Sequence, residues 1–246
     1  MPKVYFDKQV AGRYDADFAD MFEPAVVDPA VSFLAQLAGE GSALELGIGT
    51  GRIALPLSQR GVHVHGIDLS PAMTARLRAK PGADDIGVTI GDFATARVGG
   101  TFRLAYLVFN TIMSLTTQDQ QVACFGDAAA HLEPGGRFVI EVMIPGLRRL
   151  PPGQNVVPLQ ASAAGWAYDH YDLTTQAISS NYVHISDGRG EYTTFPGRYV
   201  WPAELDLMAR LAGMTLRERW GGWKREPFSS DSSAHVSVWQ KGAPER

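Results

Sequence analysis

Apolar residues recur along this chain in two rhythms, and the switches between them divide it into three parts. Val10 to Phe22 carries apolar side chains at helical spacing among acids, and Pro29 to Leu37 repeats that spacing, so two helices are expected within residues 1–40. From Ala43 short apolar runs alternate with helical segments: a strand to Leu46, a helix from Gly51 to Arg60, a strand from Val62 to Ile67 and a helix from Ser70 to Ala79. Ser70 followed by Pro71 is a favourable helix start, because the hydroxyl caps a free backbone N–H and proline is tolerated in the first turn. Strands at Val88 to Gly91, Leu104 to Phe109 and Arg137 to Met143 come next. A helix from Gln118 to Leu132 lies between the last two and is stopped by Pro134-Gly135-Gly136. Alternation of this kind predicts a parallel sheet with helices on both faces.

After Met143 the rhythm changes. Pro145 to Pro158 is rich in proline and glycine, with Arg148 and Arg149, and is expected to be a loop. Three strand-like runs then follow without a helix, at Trp166 to Leu173, Ala177 to Ser186 and Glu191 to Val200. Asp187-Gly188-Arg189-Gly190 is a strong hairpin turn between the second and third. The helical spacing returns from Pro202 to Ala212, before strands near Thr215 to Trp220 and Ala234 to Gln240. The expected organisation is an N-terminal helical cap (1–40), a core made of 41–144 and 201–246, and an antiparallel insertion (145–200). Because the fifth strand ends at the ligand edge of such a sheet, the insertion emerges beside any bound ligand, where it would form a lid.

The length of 246 residues suits one large α/β domain with an insertion. The formal net charge of -4 comes with scattered Lys and Arg and no basic stripe, which disfavours a nucleic-acid partner. Cys124 is the sole cysteine, so an internal disulfide is excluded and no zinc spacing exists; a metal site is not expected. No apolar run has the length of a signal peptide or a membrane span, so a cytoplasmic protein without membrane contact is expected, as monomer or homodimer.

The chemistry is concentrated at Leu44 to Arg52 and Val64 to Ser70, which read as strand, glycine turn, helix and a second strand ending in a carboxylate. Gly47, Gly49 and Gly51 let backbone approach a ligand, and Asp68, 21 positions beyond Gly47, is placed to accept both hydroxyls of a ribose. A dinucleotide fingerprint has glycine three positions after the second glycine; here that residue is Arg52. A guanidinium suits a carboxylate, so the expected ligand is an amino-acid nucleoside, S-adenosylmethionine, rather than NAD.

Four segments, Leu44 to Arg52, Gly66 to Met73, Gly91-Asp92-Phe93 and His131 to Val142, resemble the class I S-adenosylmethionine-dependent methyltransferases in order and interval. The insertion makes the likeness closest to small-molecule enzymes such as amino-sugar N-methyltransferases. The resemblance implies a Rossmann-like, seven-stranded, mostly parallel α/β sheet plus the small antiparallel β insertion after the fifth strand. It implies S-adenosyl-L-methionine as cofactor, S-adenosyl-L-homocysteine as product, and a small-molecule acceptor methylated at an amine or hydroxyl. By the same likeness Glu45 orients the amino-acid end of the cofactor, Asp92 takes the adenine amino group, and Phe93, Leu69 and Met73 wall the adenine. Phe109, Asn110 and Met113 line the edge over which the methyl passes, and Tyr14 closes over the sulfonium, as an aromatic face attracts a cation.

On the acceptor side, Tyr168 and His170 share one face of a lid strand and Tyr171 takes the other. His170 and His184 are candidate general bases, since imidazole titrates near neutrality. Trp223 and Arg225, in the loop between the last two strands, are candidate substrate contacts. A nicotinamide oxidoreductase and a noncatalytic S-adenosylmethionine-binding module remain the alternatives. Asn110 is followed by Thr111 and Ile112 rather than by the paired prolines of base-methylating enzymes, and Glu141 alone is a poor hard-cation site.

Overall fold

The computed structural model describes residues 5–186 and 188–243, with the side chain of Arg149 also outside the described set. Asp187, in the anticipated hairpin turn, therefore lies outside it. The chain forms α1 (Lys8–Asp17), α2 (Pro24–Ala38), β1 (Ala43–Leu46), α3 (Ala54–Gln59), β2 (Val64–Asp68), α4 (Pro71–Arg78), β3 (Gly87–Ile90), β4 (Phe102–Leu107), α5 (Gln118–His131) and β5 (Leu132–Met143). Then come β6 (Val156–Ser162), β7 (Gly165–Tyr171), β8 (Ala177–Ser186), β9 (Arg189–Arg198), α6 (Pro202–Leu211), β10 (Met214–Trp220) and β11 (Ala234–Lys241). Seven strands form one sheet in the order β10-β11-β5-β4-β1-β2-β3, in which β11 alone runs against the others. The remaining four form an antiparallel meander, β6-β7-β8-β9, between β5 and α6.

Period-two alternation along the core strands sends side chains to two separate apolar layers. Leu44, Leu46, Ala105, Leu107, Phe138, Ile140 and Trp239 pack against Phe125 and Ala128 of α5 and Leu205 and Met208 of α6. Ala43, Val64, Leu104, Tyr106, Val139 and Val236 pack against Val31 and Leu34 of α2, Leu57 of α3 and Leu77 of α4. The central strands β1 and β4 are short and buried on both faces, which is why they read as nearly continuous apolar runs. α4 starts as anticipated: the Ser70 hydroxyl accepts the Met73 N–H at 3.2 Å, with Pro71 in the first turn.

Three differences from the sequence expectation have physical causes. β5 begins at Leu132 rather than Arg137, because Leu132 already pairs with Phe102; the Pro-Gly-Gly run lies within the irregular start of this strand. The second helix begins at Pro24, five residues early, and carries Pro29 within it. The expected loop from Pro145 ends at Asn155, three residues short, where β6 (Val156–Ser162) begins as a solvent-edge strand of the small sheet. A proline in a strand is tolerated at such an edge, where its missing N–H interrupts no ladder.

The meander rejoins the core through one buried cation. Arg198, at the end of β9 and 4% exposed, pairs with Glu204 of α6 at 2.6 Å and donates to Gln121 of α5 at 2.6 Å and to Gln176 at 2.7 Å. Gln121 in turn donates to the Arg198 carbonyl at 3.0 Å. Removing one partner of a buried pair strands the other charge. Arg198→Met is expected to lower unfolding free energy in urea by about 3 kcal/mol, with partial recovery in the R198M/E204L double variant. An unchanged denaturation midpoint for R198M would show that this junction carries no stability.

Candidate active site

β1 and β2 end side by side, and one carboxylate ties together the turns that leave them. Asp68, the last residue of β2, accepts the Gly49 N–H at 2.7 Å through Oδ2 and the Ser70 N–H at 2.8 Å through Oδ1. Gly47 and Gly49 take φ of +81° and +55°, which glycine adopts without the penalty a Cβ brings. A Cβ on Gly49 would meet nothing nearer than Met73 Cε, at 3.4 Å, so the bend is open there, whereas a Cβ on Gly47 or Gly51 would run into Thr111 or Leu77. The Asp68 carbonyl also accepts the Gly91 N–H at 2.9 Å, drawing in the turn after β3. In that turn Asp92 accepts the Ala94 N–H at 2.9 Å.

Glu45 is 2% exposed beneath the bend, where Oε2 accepts the Tyr106 hydroxyl at 3.0 Å. Burial pushes its carboxyl up to about 8, against the opposing pull of the Tyr106 hydroxyl and the Arg52 charge. Burial likewise raises Asp68, offset by the Ser70 and Gly49 N–H donors. Neither acid has a basic side chain within ion-pair distance among the described residues. The Arg52 guanidinium lies 5.1 Å from the Phe109 ring centroid and donates to the Met21 carbonyl at 3.2 Å.

At the end of β4, Phe109 and Asn110 hold φ of +55° and +62°, a left-handed pair that costs of order 1 to 3 kcal/mol per residue without glycine. The pair is fixed from outside. Glu141 accepts the Phe109 N–H at 2.8 Å and the Trp223 indole N–H at 2.8 Å, while Asn110 Oδ1 accepts the Met143 N–H at 2.7 Å. Strain held at a strand end beside a glycine bend marks a place where geometry is imposed.

Residues 5–22 cover this edge. Asp15 accepts the Thr50 hydroxyl at 2.6 Å and pairs with Lys80 at 2.6 Å, and the Ser70 hydroxyl donates to the Phe6 carbonyl. Arg13 reaches the lid, bonding Glu191 and Thr193 of β9 at 3.0 Å each. Between cap and lid lies a chain of rings: Phe6 stacks on Phe195 at 5.3 Å, Tyr14 lies 4.9 Å from Phe18, and Phe18 meets Phe109 at 5.6 Å and Tyr182 at 6.5 Å. Burial raises the Tyr14 hydroxyl to about 12, so it stays protonated at neutral pH.

A methyltransferase-domain family model matches residues 43–136. The CcbJ methyltransferase from Streptomyces caelestis is 34% identical, with 99% of this chain and 100% of that one covered at a TM-score of 0.88. This chain belongs to the S-adenosylmethionine-dependent methyltransferases. A cypemycin N-terminal methyltransferase from a Streptomyces species is 26% identical over 245 residues, 98% of each chain. CalS10, an amino pentose methyltransferase from Micromonospora echinaspora with S-adenosylmethionine bound, shares the fold: TM-score 0.67, 21% identity, 97% of this chain and 99% of that one.

S-adenosylmethionine is the cofactor of this methyltransferase. The residues present fit it: the glycine bend leaves room at Gly49, and the buried Glu45 and half-buried Asp68, without cationic partners, suit a ligand that brings an ammonium and hydroxyls.

The structure gathers Tyr14, Glu45, Gly47, Gly49, Gly51, Arg52, Asp68, Phe109 and Asn110 around this bend, with Leu69 half-buried and Met73 buried beside them. Other anticipated residues lie elsewhere. Phe93 and Met113 are each 8% exposed and pack within the core layer shared with α5. On β7 the buried positions are Gly165, Ala167, Asp169 and Tyr171, whereas Tyr168 and His170 point to the outer face; the expectation that this pair lines the pocket is corrected by the strand's register. His170 is exposed and contacts Asn155 at 2.9 Å, and His184 is exposed near the far end of β8. The outer-face position of His170 turns its imidazole away from the bend, whereas His184 shares the inner face with Tyr182, one position further along it. Trp223 contributes through Glu141, but Arg225 turns onto α2, 4.7 Å from the Phe33 ring and bonded to Gln36 at 3.0 Å.

Glu45 gives a pH signature. Its folded value, about 8, exceeds that of an unfolded glutamate, so its contribution to stability is complete below the unfolded value and is lost as pH rises through the folded one. Between about pH 5 and about pH 8 the ligand-free wild type is expected to lose of order 3 kcal/mol relative to Glu45→Gln. Parallel pH profiles of urea unfolding check this; identical slopes would mean that Glu45 ionises as a solvated acid does.

Proposed function

We propose that this methyltransferase transfers the methyl group to an amine nitrogen of a small natural-product metabolite. The observation that carries this reading is the cluster of rings between cap and lid, where Phe18, Phe109, Tyr182 and a protonated Tyr14 meet one another and, among the described residues, no imidazole touches them. None of the six histidines contacts these rings: His65 on β2 bonds Thr89 of β3, His131 and His235 are buried away from the cap, His63 and His170 are exposed, and His184 is exposed on the inner face of β8 opposite Glu191. An alcohol acceptor needs a base to take its proton, whereas an amine attacks through its lone pair once deprotonated. The N-terminal specificity named for the cypemycin enzyme, which is related along nearly the whole chain, agrees with nitrogen as the receiving atom.

The cofactor supplies a methyl already activated by its sulfonium, so the protein's task is to position, to exclude water and to pass a proton outward. Asp68 has lone pairs left on both oxygens after accepting Gly49 and Ser70, and these take the ribose hydroxyls. Glu45 receives the ammonium and Arg52 the carboxylate of the amino-acid end. Leu69 and Met73 wall the adenine, with Asp92 at its amino edge. Phe109 and Asn110, locked by Glu141, set the line of approach. Tyr14 and Phe18 seal the cap side, leaving the lid face of β8 and β9 as the acceptor's wall. Residues 1–40, 145–200 and the two core segments act in this scheme as cap, lid and cofactor platform.

The test is methylation with isotopically labelled S-adenosylmethionine over matched pairs: glucosamine against glucose, and alanyl-alanine against its N-acetyl form. Label is expected on the free amines only. Label on glucose or on N-acetyl-alanyl-alanine, with none on the amines, would overturn nitrogen as the receiving atom.

A further inference from the structure

Most buried acids in the described chain have an evident purpose. Glu45 underlies the glycine bend, and Asp127 is neutralised by Arg97 at 3.0 Å and His131 at 3.2 Å. Asp169 is different. It lies mid-strand on β7, paired with Val157 on one side and Ser180 on the other, and is 2% exposed. Its carboxylate accepts two hydroxyls, Ser180 at 2.7 Å and Tyr171 at 3.4 Å, and no basic side chain reaches it among the described residues. Burial raises its carboxyl, and the two hydroxyls only partly offset this. A buried charge without a cation is costly, and a pair of hydroxyls is poor compensation. An apolar residue here would serve the sheet better.

Its position shows what it faces. By strand alternation Asp169 shares the inner face of the lid with Ala167, and across the ladder with Ser180 and Tyr182, both only half-buried. Tyr182 carries the ring that meets Phe18, and through it Tyr14 and Phe109. The carboxylate therefore stands just behind the ring that forms the acceptor's wall, on the cofactor side of the lid. A carboxylate beside tyrosines on the same face can recognise an ammonium group, by charge-assisted hydrogen bonding and by the attraction of rings for a cation.

We propose that Asp169 is the acceptor-recognition residue of this methyltransferase, binding the ammonium group of its substrate. This rests on the amine reading above, and it adds that the acceptor arrives as a cation, passes one N–H proton to the Asp169 carboxylate, and attacks the methyl carbon through the freed lone pair as the carbon–sulfur bond breaks. A neutral polyol would leave the acid unpaired, so the same residue selects against hydroxyl acceptors.

The experiment titrates two probes, benzylammonium chloride and benzyl alcohol, into protein saturated with S-adenosylhomocysteine. The wild type is expected to bind the ammonium at least about tenfold more tightly than the alcohol. Asp169→Asn should lose that preference while keeping its S-adenosylhomocysteine affinity and its affinity for the alcohol, and Asp169→Glu, which retains the charge, should keep most of it. An Asn variant that binds benzylammonium as the wild type does overturns the assignment, as does a loss of both probes together with S-adenosylhomocysteine, which marks a structural role. The two readings fail separately. Labelled amines in the methylation assay with no effect of D169N remove Asp169 alone, whereas labelled hydroxyls remove the amine reading whatever Asp169 binds.

Discussion

The carboxylate of Asp68 is the point on which this molecule turns. One oxygen holds the glycine bend after β1 and the other holds the first N–H of the segment that opens α4, so two strand ends and a helix start share one acid. Its own carbonyl adds the turn after β3. Three loops at the carboxyl edge of a parallel sheet would otherwise be independent; here their relative positions are set within hydrogen-bond tolerance. Placing an acid out of water is unfavourable, and the two backbone donors offset that cost.

Around that point the sequence is arranged to enclose rather than to react. The cap is tied down twice to the core, through Asp15 with Lys80 and through Phe6 with Ser70, and once to the lid through Arg13. The rings between them exclude water without offering a nucleophile. Glu141 then performs for the β4 edge what Asp68 does for the bend, holding a left-handed pair of non-glycine residues from a neighbouring strand. Methyl transfer from a sulfonium needs alignment above all, and alignment is what these contacts supply.

The alternating core was legible because its central strands β1 and β4 are buried on both faces and its turns are marked: Ser70 and Pro71 announce α4, and the Gly47 to Gly51 run announces the bend. The lid was harder. β6 is an exposed edge strand holding Pro158, and its composition is that of a loop, since an edge needs neither continuous apolar character nor every N–H. On β7 alternation correctly separated Tyr168 and His170 from Tyr171, but a single strand does not say which face turns inward; that depends on pairing with β8 and β9. Asp169 passed unnoticed because an acid between a tyrosine and a histidine reads as a solvated position, and only the folded sheet shows it buried. Phe6, Phe18, Tyr182 and Phe195 were hidden in the same way, brought together from three distant segments with no common motif.

The central claim is that the bend pinned by Asp68 is where the nucleoside of the methyl donor rests, with the reactive carbon turned toward the lid. A crystal structure with S-adenosylhomocysteine tests it most directly. The ribose hydroxyls are expected on Asp68, the amino-acid end between Glu45 and Arg52, and the sulfur facing the rings of Tyr14 and Phe18. A nucleoside bound outside the bend, or a sulfur turned away from the lid, would contradict the account.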